Sequence, residues 1–164
     1  MSDPGATVDL SAGMKKRSGI KKGVIADIKD QRPVFADATL SVLVGQVGKV
    51  ARAMTYDNGN DDTLYESLIR VTAAALVMAK RLHAKRVIRA VHLEMNQAVA
   101  RHMWAMTPLN PQMPDGQKLV VLVEEVGEAA DAPDDAGELI QVATMAAAWA
   151  QSHRAKRPQD WVTT

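Results

Sequence analysis

Along residues 40–54 the apolar side chains fall at Leu40, Leu43, Val44, Val47, Val50 and Met54. That three-and-four spacing is the mark of a helix face turned toward a core. The same period runs through most of the chain, and no segment stands out with the two-residue alternation of a half-buried strand. Asn58-Gly59, a pair that elsewhere signals a hairpin, stands between two helical stretches. The hydrophobic content of 47% comes from Ala, Val, Leu and Met, with one Phe and two Tyr. Ala, Leu and Met favour helix. The expected fold class is all-α, a helical bundle. A length of 164 residues suits one compact domain, or two small halves around a shared core.

Residues 1–14 are small and polar and are expected to be disordered. Lys15 to Gln31 is basic, then helical around Val24, Ile25 and Ile28, and Pro33 marks a break. A helix is expected over Val34–Tyr56, then a turn over Asp57–Asp62 in which Asp62 caps the next helix. Thr63 to Met106 reads as one long helix bent near His83. Thr107 to Gly116, with Pro108, Pro111 and Pro114, reads as a loop. Helices over Gln117–Ala130 and Ala136–Ser152 flank a turn whose Asp134 and Asp135 are expected to cap the second of them. A polar tail, 154–164, contains Trp161.

The chain resembles itself. Val42–Ala53 lies on Val121–Ala132, 79 residues later, and Leu68–Ala75 lies on Leu139–Ala146. A period that long indicates a duplicated helical unit rather than a solenoid, with one unit over 15–91 and a second over 92–153. The copies differ in polarity. Glu124, Glu125 and Glu128 align with Gly45, Gln46 and Lys49, Glu138 with Ser67, and Gln141 with Arg70. Net charge divides the same way, +6 over residues 1–91 and −5 over 92–164. A basic half beside an acidic half suits a polyanion held together with a cation.

Several chemistries are excluded. There is no Cys, hence no disulfide, thiolate metal site or cysteine nucleophile. The N-terminus has no apolar signal core and charges interrupt every apolar run, so no membrane association is expected and the protein is read as soluble and cytoplasmic. The glycine-rich phosphate loops are absent. His83, His92, His102 and His153 show no ligand spacing and receive no metal role. The basic stretch 80–89 lacks interleaved aromatics, so no nucleic-acid partner is expected.

What remains is an acidic constellation. Glu124, Glu125 and Glu128 close one apolar helix at i,i+3 and i,i+4 spacing, and Glu138 with Gln141 opens the next. Helices joined by a tight turn run antiparallel, so these groups meet at one level. Carboxylates at close range repel one another unless a cation sits among them, and hard divalent ions take oxygen ligands of this kind.

Glu-Glu-Val-Gly-Glu at 124–128, a turn, and Glu-Leu-Ile-Gln-Val-Ala at 138–143 resemble the MazG-like all-α nucleoside triphosphate pyrophosphohydrolases. The match covers roughly 35 residues strongly, and the segment from Leu93 through Trp104 corresponds to the preceding family helix. The resemblance implies Mg2+, with Mn2+ as a substitute, held by Glu124, Glu125, Glu128, Glu138 and Gln141. It implies hydrolysis of nucleoside triphosphates between the α and β phosphates, with Glu124 or Glu125 orienting the water, and assembly as a homo-oligomer, a dimer at least. Gln141 stands where the family has Asp, and the connection between the two helices is shorter than is usual. Candidate phosphate donors are Lys49, Arg52 and Arg70, where the first copy aligns with the acidic group, and Lys80, Arg81, Lys85, Arg86 or Arg89 on the long helix. Trp104 and Trp149 are read as core or interface residues, with Trp104 also available to stack on a base. Two other readings stay open: an enzyme like phosphoribosyl-ATP pyrophosphohydrolase, and a catalytically inactive nucleotide-binding or helical interaction protein.

Overall fold

Pro33 ends the first helix, as a residue with a fixed φ and no N–H does. In the computed structural model, which describes residues 20–56 and 61–155, α1 (Lys22–Gln31) gives way at Arg32–Phe35 to a 3-10 turn. The turn continues through Ala36 N–H to Pro33 O and Ala38 N–H to Phe35 O. The next helix, α2 (Leu40–Tyr56), therefore starts six residues later than the apolar pattern suggests. Thr39 caps it, its Oγ1 accepting the Val42 N–H at 3.4 Å. Of the expected turn, 57–60 lie outside the described residues. Asp62 belongs to the first turn of α3 (Asp61–Arg81) rather than preceding it.

The single helix expected over Thr63–Met106 is two helices. α3 stops at Arg81, and α4 spans Val87–His102. The stop is a Schellman motif, with Ala84 N–H bonded to Ala79 O and His83 N–H to Lys80 O. His83 takes the left-handed position (φ 67°) that glycine usually fills, and Arg86 (φ 53°) turns the chain again before α4. The break therefore precedes residue 87, and the unit boundary expected after residue 91 falls inside α4. A 3-10 turn at Trp104–Met106 and a loop lead to α5 (Asp115–Asp131) and α6 (Ala136–Ala155). The expected tails, 1–14 and most of 154–164, lie outside the described residues. The six α-helices of the described residues pack together, no strand occurs among those residues, and no described helix is long and apolar enough to cross a membrane.

α3 and α6 form the central pair of the bundle. Ala73, Ala74 and Ala75 on one, and Ala146, Ala147 and Ala148 on the other, are fully buried; such small side chains let helix axes approach closely. α6 is buried without interruption from Val142 through to His153, as a helix surrounded by others must be. Around the pair the two halves repeat one arrangement. α1 and α2 pack on α3, while α4 and α5 pack on α6, and a single apolar core runs through both.

One polar device sets the register of the α5–α6 hairpin. Lys118 is 1% exposed, and its Nζ donates to Ser152 Oγ at 2.8 Å and lies 4.0 Å from Asp115 Oδ1. That same oxygen accepts the indole N–H of fully buried Trp149 at 3.1 Å. The start of α5 is thereby pinned to the end of α6, which places the end of α5 beside the start of α6.

Candidate metal centre

Leu122, Val126 and Ala129 form the buried stripe of α5. Glu125, adjacent to Val126, rides on the edge of that stripe and is partly buried; Glu128, most of a turn further on, is exposed. Across the hairpin Asp135 caps α6, its Oδ1 accepting the Gly137 N–H at 2.7 Å. A Cβ at Gly137 would approach that oxygen to 2.9 Å, so glycine suits the closeness of the cap. Glu138 occupies the first turn of α6, where the helix N-terminus favours negative charge. One oxygen each from Glu125, Glu128 and Glu138 lies within 4.8 Å of the others.

The electrostatics of this group are those of a site short of positive charge. Burial, then the carboxylates of Glu128, Glu138, Glu124 and Glu94, raise the Glu125 pKa from 4.5 to about 7. Glu138 is also raised, first by desolvation, then by Glu128, Asp135 and Glu94. Glu125 Oε2 is buried and has no hydrogen-bond partner, a state that carries a desolvation cost unless a donor or a cation meets it. Gln141 donates from Nε2 to Glu138 Oε2 at 2.9 Å and so orients that carboxylate. Oxygens around an octahedral Mg2+ lie about 3 Å apart when adjacent and about 4 Å when opposite, so the three carboxylates would have to draw closer to share such an ion. The donor set and the orphaned oxygen both fit a hard divalent cation.

The other expected residues are spread over separate surfaces. Glu124 is exposed and is not one of the three converging carboxylates, although its charge acts on Glu125. Lys49 and Arg52 lie on the exposed side of α2. Arg70 is half-buried, with its guanidinium 5.8 Å from the Phe35 ring centroid, and lines a cleft of about 600 Å3 between α1, α3 and α6. Arg81 donates to the backbone carbonyl of Ala38. Lys80 lines a different, basic cleft. Trp104 is half-buried and packs against the core.

Two residues near the site do not stand out in the sequence. Glu94 on α4 acts on both Glu125 and Glu138, and Arg101, two helical turns along, binds Glu94 at 2.5 Å. The available signal is position: Glu94 adjoins buried Met95 as Glu125 adjoins buried Val126. The aligned positions of the first half are likewise turned inward. Gln46 and Ser67 are buried, and Gln46 Oε1 and Arg70 Nε are buried without partners. The two halves thus bury matching positions and differ in what charge those positions carry. No protein-family model, curated protein or solved structure matches this chain.

Proposed function

We propose that the chain is a Mg2+-dependent nucleoside triphosphate pyrophosphohydrolase whose metal centre is Glu125, Glu128 and Glu138. The observation that carries this reading is the convergence of three carboxylates from two facing helices around a buried, unpartnered oxygen. Helix bundles build carboxylate metal sites in this way. When bound, a divalent cation would polarise the α-phosphoryl group and acidify a nearby water. The chain's own groups have divided roles. Glu128 and Glu138 would hold the cation, and Gln141 orients the Glu138 carboxylate. Glu125, whose carboxyl pKa is pushed up by burial and its acidic neighbours, would complete the donor set. Glu124, exposed beside the triad, is the carboxylate free to orient water as a base. Arg101, bound to Glu94, is the guanidinium beside this acidic group and a donor for substrate phosphate.

The test is pyrophosphate release from a panel of nucleoside and deoxynucleoside triphosphates with Mg2+ or Mn2+. Glu125→Gln and Glu128→Gln are each expected to lower the rate by about a hundredfold or more. Absence of release across the panel, or activity unchanged in both variants, would overturn the assignment. An inactive nucleotide-binding protein is the second reading. Gln141 favours it, since the residue spends its amide on Glu138 and adds no carboxylate to the site. Homodimer formation belongs to the leading proposal: Val44 on α2 and Val120 and Val123 on α5 remain more than half exposed, and α2 packs beside α5.

A further inference from the structure

Between the 3-10 turn after α1 and the α3–α4 connection the surface sinks into a cleft of about 850 Å3. Arg32, Lys80, Lys85, Arg86 and Arg89 line it, together with the imidazoles of His83 and His92, and no carboxylate does. The whole chain has 20 Lys and Arg against 19 Asp and Glu, so a concave wall with five cations and no anion is a segregation of charge. None of the five forms an ion pair among the described residues.

The backbone assembles this wall. Left-handed His83 and Arg86 fold the chain back within a few residues, so that cations from the end of α3, from the connection and from the first turn of α4 share one surface. The N-terminus of α4 opens onto the same wall at Val87, Ile88 and Arg89. No side chain caps it and its first turn holds no acid, so its N–H groups add to the positive field. Ile20 N–H donates to His92 Nδ1 at 3.3 Å, which brings the described chain in at the edge of the cleft.

We propose that this cleft binds a compact oligophosphate anion, by chemistry shared between inorganic triphosphate and the phosphate tail of a nucleotide, and without a divalent cation. Like charges on a concave wall focus a positive potential, and charge-assisted bonds from Arg and Lys are the strong contacts to phosphate oxygens. A single phosphate would engage only part of such a wall. An extended nucleic-acid strand would call for stacking partners, and the wall has no Phe, Tyr or Trp. The volume lies in the range of small-molecule sites. The proposal does not rest on the metal centre: Glu94, Glu125, Glu128 and Glu138 are all absent from the cleft's wall.

Titration calorimetry of the full chain with sodium triphosphate in EDTA tests it. One-to-one binding that weakens as salt rises is expected, with the ring signals of His83 and His92 shifting by NMR as the ligand is added. The pair Lys85→Glu and Arg89→Glu should lose about tenfold or more in affinity. Lys85→Gln with Arg89→Gln, which adds no repulsion, should lose affinity as well, with helical content by circular dichroism unchanged in both. Glu125→Gln should bind triphosphate as the unaltered chain does, which separates this site from the metal centre. ATP binding equal to triphosphate identifies a site that reads phosphate alone, and ATP binding at least about tenfold tighter identifies a nucleotide tail as the source. No binding in EDTA, affinity indifferent to both double variants, or displacement of triphosphate by a single-stranded oligonucleotide more readily than by ATP would overturn the proposal.

Discussion

Replacing Glu125 with Gln should stabilise the metal-free protein above neutral pH, although it removes a carboxylate from the centre. A carboxyl whose pKa rises on folding holds its proton more tightly in the native state. Its contribution is therefore intact below its ordinary pKa of 4.5, and stability falls as pH climbs from there through about 7. The full linkage for that displacement is about 3 kcal/mol. Glu125 is only partly buried, and screening by solvent reduces the penalty to about 1–2 kcal/mol. Gln keeps the shape of the side chain without its charge. In EDTA at about pH 8 the variant should unfold roughly 3–6 °C higher than the unaltered chain, and at about pH 4 the two should coincide. Thermal unfolding by circular dichroism across that range measures both. Millimolar Mg2+ should then reverse the order at high pH, because a ligand of the native state stabilises whichever protein binds it. Parallel stability–pH profiles for the two proteins, or a variant less stable at high pH in EDTA, would refute the claim that Glu125 is held among unneutralised carboxylates.

Three other perturbations have defined signs. Asp115→Ala leaves the buried Lys118 ammonium without its nearby carboxylate and the Trp149 N–H without its acceptor, and should cost about 2–4 kcal/mol; Lys118→Met, which removes the charge but keeps the stem, should cost less, and urea midpoints at constant m-value separate the two. His83→Gly relieves a left-handed residue at the end of α3 and should raise stability by about 0.5–1 kcal/mol, read as a rise in Tm. Val123→Asp on the exposed side of α5 should convert a dimer to a monomer by light scattering, and an unaltered chain that is already monomeric would remove the association from the proposed function.

The helices are legible in the sequence because burial imposes a period. Leu43, Val47 and Val50, read as core from spacing, are all buried, and Asp135 caps α6 as its place before the apolar run suggests. The break at 82–86 is legible only as a bend near His83, not as the end of one helix and the start of another. Its left-handed residues are His and Arg rather than Gly, no proline stands near, and the apolar period runs on across the gap. Reading α3 and α4 as one helix hides more than a turn. A continuous helix would carry Glu94 away along the axis of α3. Only a separate α4, packed on α6, sets Glu94 close enough to raise Glu125 and Glu138, and only the reversal at 83–86 gathers Lys80, Lys85 and Arg89 around one cleft.

The acidic triad is accessible by contrast, because it depends on nothing but helix spacing and an antiparallel turn. Even there, spacing does not separate Glu124 from Glu125, since both neighbour the same stripe and only one lies on its buried edge. The comparison of the halves gives the physical reason. Packing dictates which positions face inward, and it does so alike for Gln46 and Glu125, or for Ser67 and Glu138. It leaves open the polarity of a position at the margin of the core, provided that each buried polar atom finds a partner. Where the margin carries neutral or cationic groups, Gln46 Oε1 and Arg70 Nε are the atoms left without partners. Where it carries three carboxylates the demand for partners is larger: Gln141 meets Glu138, Glu128 faces solvent, and Glu125 Oε2 is left buried without a partner.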